Sequence, residues 1–429
     1  MLCSRRDFLR ESGSLWAAAP LALRSSSVPQ PARLTGTHAI SIDAADTSDL
    51  NFLGPLLKDV RIVQLGENGH GASEAIRVRA RIARYLIEQL NFEVLAFESS
   101  LFLVHLANQR LGETDAQRSL TSSLIGVWHT REMLPLFEVL RARRAVGQSG
   151  QLAGFDIQPI GGNRKQRPAF FATFVAKVDP EYAKGVVALD TEFLEIYGKP
   201  SAQRRELLRA VGERLATGYE RLADFLDTHR ERMSDDTNEA IVARQEARSA
   251  AAYVRFQSAT DMTKYAEIRD EAMFENLKFL ATDLFPRRRI IVWGHNYHLR
   301  HDNAAILPSK EIFPGVKARS MGTWTRKHFG HQVYTLGQYE RTGTALDNSR
   351  KEYAIARPAE GTLEARIEPP VGKAMFVDIR ETSSTGHGRW LKQPVAARYN
   401  GQQPETLVPS AQYDALLVIE SVTPPAFLY

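Results

Sequence analysis

"VRIVQLGENGHGASEAIRVRARIARYLIEQLNFEVLAFESS", residues 60–100, holds two apolar runs with one stretch of helical period between them. The first run closes on Gly66 and Glu67 and reads as a short buried strand. At 100° per residue, Ile76, Ala80, Ala83, Leu86, Ile87 and Leu90 then share one face, while Arg77, Arg81, Arg84 and Glu88 lie opposite, so an amphipathic helix follows. In the second run, Val94 to Phe97 are apolar without alternation, as in a strand covered on both faces of a parallel sheet. Strand, helix, strand in this span is a βαβ unit, and both strands end at one sheet edge. Ligands of open α/β sheets bind outside that edge. Glu67, His70 and Glu98 are therefore expected there together.

The same grammar recurs twice. "QLAGFDIQ" (151–158) ends near Asp156, and "RRIIVWGHNYHL" (288–299) ends on a glycine followed by His295 and His298. Residues 374–380 and 414–422 read as further strands of either direction. Residues 169–284 are rich in Glu, Arg, Ala and Leu with few Pro or Gly, which predicts long helices inserted over the site. Residues 340–372 and 381–410 lack periodicity and read as loops. The expected architecture is α/β: a mostly parallel sheet flanked by helices within 31–429, with the helical insertion covering the carboxyl edge of the sheet.

Bulk composition narrows the function. Of 429 residues, 43% are hydrophobic and 24% charged, ordinary for a globular chain. The N-terminus, "MLCSRRDFLRESGSLWAAAPLALRSSSVPQPA", pairs Arg5 and Arg6 ahead of a weakly apolar stretch too short to span a bilayer. It reads as a twin-arginine export signal over residues 1–30, with cleavage near Ala17–Ala22 and a periplasmic or secreted product. Removing its four arginines and two acids brings the formal charge of +5 down to +3, which leaves no nucleic-acid footprint. The sole cysteine, Cys3, precedes the arginines, so the processed chain has no disulfide, thiolate nucleophile or Cys-ligated metal.

Arg79 falls in the middle of the apolar helix stripe, so its guanidinium either snorkels out at the helix edge or is buried, and if buried it needs an acid partner, which Glu67 or Glu98 can supply. Glu74 falls on the polar side of the first turn, where a carboxylate complements the helix N-terminus. Trp128, Thr130 and Glu132 in "VWHTREM" either line a pocket or, for Trp128, belong to the core. No G-x-S-x-G elbow, H-E-x-x-H helix, Walker loop or G-x-G-x-x-G is present, which argues against the common serine hydrolases, zincins, P-loop enzymes and dinucleotide oxidoreductases.

With "LGENGHGASEAIRVR" (65–79), "FEVLAFESS" (92–100), "GFDIQ" (154–158), "IRDEAMFENLKFL" (268–280), "VWGHNYHL" (292–299) and "YDALLVIESVTP" (413–424) in order, the chain resembles the erythromycin esterase family. The resemblance implies a hydrolase of small-molecule carboxylic esters, including the opening of macrolactone rings, with His70 as general base and Glu67, Arg79, Glu98, His295 and His298 around it. Candidate substrate contacts are Glu74, Trp128, Asp156 and Arg269. In the mechanism it implies, neutral His70 takes a proton from water attacking the ester carbonyl. Glu98 or Glu67 holds the imidazole, and Arg79, His295 or His298 stabilises the oxyanion. No cofactor is required. The rival reading gives a divalent metal (Zn²⁺ or Mn²⁺) to Glu67, His70, His295 and His298, although Arg79 would repel a cation. A non-catalytic periplasmic binder of haem or metal is the alternative from another class.

Overall fold

The computed structural model describes residues 36–308 and 317–429, and the expected signal over residues 1–30 lies outside them. Its strands are β1 (Thr37–Ser41), β2 (Ile62–Glu67), β3 (Val94–Ser100), β4 (Gln151–Asp156), β5 (Ile290–His295), β6 (Leu307–Pro308), β7 (Val333–Leu346), β8 (Glu352–Ile355), β9 (Lys373–Asp378), β10 (Val395–Tyr399), β11 (Gln403–Leu407) and β12 (Ala415–Val422). Every residue of β2, β3 and β5 is buried, as in strands covered on both faces, although β2 carries the polar Gln64 in its middle. The main sheet has the order β1-β9-β12-β7-β2-β5-β3-β4, with β8 hairpinned onto β7. From β12 to β4 the six neighbours are parallel, whereas β9 and β1 are antiparallel additions. Strand 374–380 thus runs antiparallel and strand 414–422 parallel.

Helices of eight residues or more are α1 (Ser73–Gln89), α2 (Leu101–Gln109), α3 (Ala116–Ser123), α4 (Leu134–Ala145), α5 (Arg167–Val175), α6 (Pro180–Tyr197), α7 (Ser201–Thr228), α8 (Thr237–Ser258), α9 (Met262–Phe279) and α10 (Met321–Phe329). Strand alternation feeds two layers. Val63, Leu65, Leu95, Phe97, Ile291 and Trp293 join the core with α1 and α4, and Ile62, Val94, Ala96, Ile290 and Val292 pack with α8, α9 and α10 on the other face. The long helices α5 to α8 bury a core of their own, around Phe171, Phe193, Tyr219, Leu222 and Val254. Inside it Arg167 pairs with Asp190 and Glu246. Helix α9 returns to the sheet, where Asn276 donates to the Phe155 carbonyl at 3.1 Å. No described helix is long and apolar enough to cross a membrane.

Two stretches read as loops contain strands. Strand β7 runs to Leu346 in the middle of the sheet, and Val333 to Glu340 are buried on both faces although Thr335, Gln338 and Glu340 interrupt the apolar run. Strands β10, β11 and β6 form a separate three-stranded sheet. Its hairpin turns at Asn400 and Gly401, both at positive φ (53° and 70°), as an Asn-Gly turn allows.

Candidate active site

Strands β2 and β5 pair in register so that Gly66 faces Gly294 and Glu67 faces His295. Gly66 has no room for a side chain, since a Cβ there would overlap Asn296 Oδ1 and approach the Leu336 carbonyl. This close packing fixes where β2 ends and the catalytic-looking turn begins. Three residues on, His70 folds back so that its Nδ1 lies 2.5 Å from Glu67 Oε1. The carboxylate accepts, so Nδ1 carries the proton and Nε2 is left as a lone pair with no hydrogen-bond partner among the described residues. The imidazole retains 13% side-chain exposure, against 0% for Glu67.

Glu67 is held from three sides. Arg79, fully buried on α1, forms an ion pair with Oε2, and Trp128 Nε1 donates to Oε1 at 3.1 Å. Burial alone would raise the carboxyl pKa, but Arg79 and His70 outweigh it and bring it to about 2. The Arg79 guanidinium also stacks on Trp293, 4.3 Å from the ring centroid. For His70, burial pulls the pKa down, yet the Glu67 charge and hydrogen bond, with help from Glu98, leave it raised above 6.5.

The second half of the site hangs on Glu98 at the end of β3. It accepts from the His295 backbone N–H at 2.9 Å and from Arg269 Nη2 at 2.9 Å, and its Oε1 lies 3.2 Å from His298 Nε2. Burial disfavours its charge, but His298 and Arg269 hold its pKa well below the ordinary carboxylate value. Arg269 also grips Asp156 through Nε and Nη2 at 3.1 and 2.8 Å. His298 Nδ1 faces Asp270 Oδ1 at 2.8 Å. Against the lowering effect of burial, Asp270 and Glu98 lift His298 to about 10, so it is an imidazolium donating to both acids. Arg269 Nη1 is also within 3.3 Å of His298 Nε2, but two cations do not share that bond and the charged ring points its proton at Glu98.

His295 is the opposite case. Its Nδ1 accepts from the Tyr297 backbone N–H at 3.1 Å, so Nε2 carries the proton and donates to Asn400 Oδ1 at 2.8 Å. Burial first, and then the charge of His70, drives its pKa down to about 3. Its ring centroid lies 5.6 Å from that of His70.

The structure therefore brings Glu67, His70, Arg79, Glu98, His295 and His298 to one edge, with Asp156 and Arg269 joined to them. Several assigned contacts land elsewhere. Arg79 has no exposed surface, so it neutralises Glu67 rather than meeting an oxyanion. Glu67, not Glu98, orients His70. Trp128 is fully buried, its ring centroid 5.4 Å from that of His70, and its Nε1 is spent on Glu67. Glu74 accepts from Thr423 N at 2.6 Å and Thr423 Oγ1 at 3.0 Å and pairs with Arg77, which ties α1 to the end of β12. Glu132 likewise binds Ser73 and the Ala426 backbone.

Sequence reading missed Asp270, Asn400, Asn68 and Glu340. Asp270 follows Arg269 in the already quoted "IRDEAMF", and Asn400 begins an Asn-Gly turn. Asn68 Oδ1 accepts from Asn400 N at 3.0 Å, and Asn68 Nδ2 donates to Glu340 at 3.1 Å and to the Arg398 carbonyl at 2.9 Å. Burial, only partly offset by Gln338 and Asn68, raises the Glu340 pKa.

The donor set does not fit the metal reading. Glu67 is committed to Arg79, His70 and Trp128, both nitrogens of His295 and of His298 are engaged, and only His70 Nε2 is open. Among the described residues no group of three His, Cys, Asp or Glu is arranged to hold a metal ion.

The model of the erythromycin esterase family matches residues 87–422, and the chain belongs to that family. This makes it a hydrolase of the esterase kind. YbfO of Bacillus subtilis (strain 168), provisionally named a hydrolase, is 28% identical over 412 residues, 91% of each chain. Erythromycin esterase type II of Escherichia coli is 22% identical over 344 residues, 74% of this chain and 80% of that protein. The solved structure of a mutant of the erythromycin esterase EreC, in its open conformation, superposes with a TM-score of 0.69 at 18% identity, over 92% of this chain and 99% of that one, and shares the fold.

Proposed function

We propose that the chain hydrolyses carboxylic esters with His70 as the general base. The observation that carries this reading is the Glu67–His70 pair, which leaves an unprotonated Nε2 without a partner among the described residues, on a ring that keeps 13% exposure next to a neutral, proton-bearing His295. His70 Nε2 takes a proton from water as the water oxygen bonds to the ester carbon. Collapse of the tetrahedral adduct breaks the carbon–alkoxy bond, and the proton passes from His70 to the departing alkoxide. Glu67 holds the ring and stabilises the imidazolium in between. The His295 Nε2–H, which Asn400 occupies in the free protein, turns to the developing oxyanion. Arg79, Arg269 and His298 act through the acids they hold. Macrolactones are the cyclic case of the same chemistry.

A positioned base contributes about 10²- to 10⁴-fold. His70→Ala is therefore expected to lower kcat/KM on a panel of macrolides and aryl esters by that order while leaving the melting temperature near that of the parent. Exhaustive chelation is expected to leave the rate unchanged. Full activity in His70→Ala rejects the assignment, and loss on chelation with recovery by added Zn²⁺ or Mn²⁺ favours the metal reading.

A further inference from the structure

This chain neutralises its buried arginines with acids: Arg79 with Glu67, Arg167 with Asp190 and Glu246, Arg269 with Asp156 and Glu98, Arg300 with Glu405. Half-buried Arg61 and Arg289 lack an acid but each give three hydrogen bonds to backbone carbonyls, whereas Arg164 and Arg204, also without an acid, give one each. Arg164 and Arg204 both stack on Tyr197, their guanidinium carbons 5.1 and 4.9 Å from the ring centroid. Their hydrogen bonds go to backbone carbonyls, Arg164 to Gly161 at 2.6 Å and Arg204 to Tyr197 at 3.1 Å. Neither has a carboxylate partner among the described residues, and the buried Arg204 Nε has no acceptor. Such an orphaned donor is costly unless something fills it.

Outward, Arg164 forms one wall of a groove of about 550 Å³ that also holds Lys165 and Lys199 against a single acid, Glu195. Inward, Asp156 is close enough to disturb the hydroxyls of both Tyr197 and Tyr253, and Asp156 is the residue that Arg269 ties to Glu98. Asp156 thus links the Arg164–Tyr197–Arg204 cluster to the reactive edge of the sheet, and Arg164, Lys165 and Lys199 make most of the groove's charge positive.

We propose that Arg164 and Arg204 bind an oxyanion on the substrate, so that the natural substrate is an ester bearing a carboxylate or similar anionic group. The proposal rests on the esterase reading above for its chemistry, but not for its binding. Guanidinium pairs recognise carboxylates through charge-assisted hydrogen bonds, and Tyr197 keeps both planes in place. Esters bearing an ammonium group meet repulsion at the same cluster.

The test compares mono-4-nitrophenyl glutarate, which carries a free carboxylate, with the neutral 4-nitrophenyl butyrate and with a 4-nitrophenyl ester carrying a trimethylammonium group. In the parent protein kcat/KM for the glutarate is expected to exceed the neutral ester by about tenfold or more, with the cationic ester lowest and the preference shrinking as salt rises. In the double variant Arg164→Gln, Arg204→Gln the anionic-to-neutral ratio falls to near one, and in Arg164→Lys, Arg204→Lys it is largely restored. Circular dichroism and the melting midpoint verify folding, and if the double variant does not fold, Arg164→Gln alone is read for a partial fall of the same ratio. Parity of the three esters in the parent, or a preference that survives both Gln substitutions, overturns the proposal. If no ester is turned over, the esterase reading fails by itself, and calorimetric titration with glutarate against neutral glutaramide decides the anion site. Glutarate binding lost in the variant sustains the proposal, and absence of binding in the parent ends it.

Discussion

His70 works unprotonated, and its pKa is raised because the Glu67 charge and hydrogen bond overcome burial. The sign follows directly: kcat/KM rises with pH, and the midpoint lies above the 6.5 of an ordinary histidine. Glu67→Gln removes the pull and leaves burial in charge, so the midpoint of the remaining activity moves to lower pH while the rate falls. A pH profile of kcat/KM for both proteins checks this, and an unmoved midpoint contradicts it. Asn400 makes a second residue-scale case. Asn400→Asp sets a carboxylate against His295 Nε2 and lifts that histidine from about 3, which adds an ionisation to the profile. Asn400→Ala removes the resting partner of the Nε2–H, so the ring no longer gives up a hydrogen bond to meet the oxyanion, and kcat/KM is expected to rise by up to about tenfold, the order of one hydrogen bond. Profiles of both variants identical to the parent exclude a role for Asn400 in holding His295. Glu67, His70, Glu98, His295 and His298 were legible in the sequence, because glycine-flanked or apolar strand ends deliver them to a common edge. Asn400 was not, because nothing local in "RYNGQQ" shows that its turn crosses the sheet to reach His295.

Among the elements, helix α1 shows both what pattern reveals and what it hides. Its apolar stripe follows the 3.6-residue period, and Arg79 stands out in the middle of that stripe as a demand for an acid, which Glu67 meets. Removing one partner of a buried ion pair costs about 3–5 kcal/mol. Arg79→Met is thus expected to lower the unfolding free energy by that amount in urea titrations, well beyond the effect of Arg84→Met on the exposed side, and equal losses would show that the pair is not buried as described. Strand β7, whose second half fell in a stretch read as loop, went unread for the reverse reason. A central strand is usually recognised by an apolar run, but here Thr335 Oγ1 donates to Gln64, Glu340 accepts from Asn68 and from Gln338 Nε2, and Asn296 accepts from the Gln338 backbone N–H; Gln64, Asn68 and Asn296 are distant in sequence. Polar satisfaction replaced hydrophobic pattern where the strand approaches the site.

For the whole molecule, the shifted groups set a stability window. His298, raised to about 10, contributes stability that is complete below pH 6.5 and disappears as pH rises through 10. His295, lowered to about 3, stays neutral in the fold while the unfolded chain takes up a proton below pH 6.5, so stability falls as pH drops from 6.5 towards 3. Glu67, at about 2, adds a further loss between 4.5 and 2. Scanning calorimetry is expected to show the highest melting temperature near neutrality with a decline on both sides, and a flat response from pH 7 to 10 would contradict the charged state of His298. The layered α/β architecture was legible from periodicity alone. The course of the chain after β5 was not, since short polar strands and the hairpin β10–β11 depend on partners across the fold.

The position of β5 has a consequence for how the protein is made. Strands β2 and β3 flank it in the sheet, yet β3 ends at Ser100 and β5 begins only at Ile290. During translation, at about 5–20 residues per second, the ribosome needs roughly ten to forty seconds to supply the missing centre. Until then the nascent chain carries open strand edges, the kind that recruit holdase chaperones and seed aggregation. Slowing elongation through the codons for α6 to α9 should therefore lower the soluble yield of this protein more than slowing it after β5.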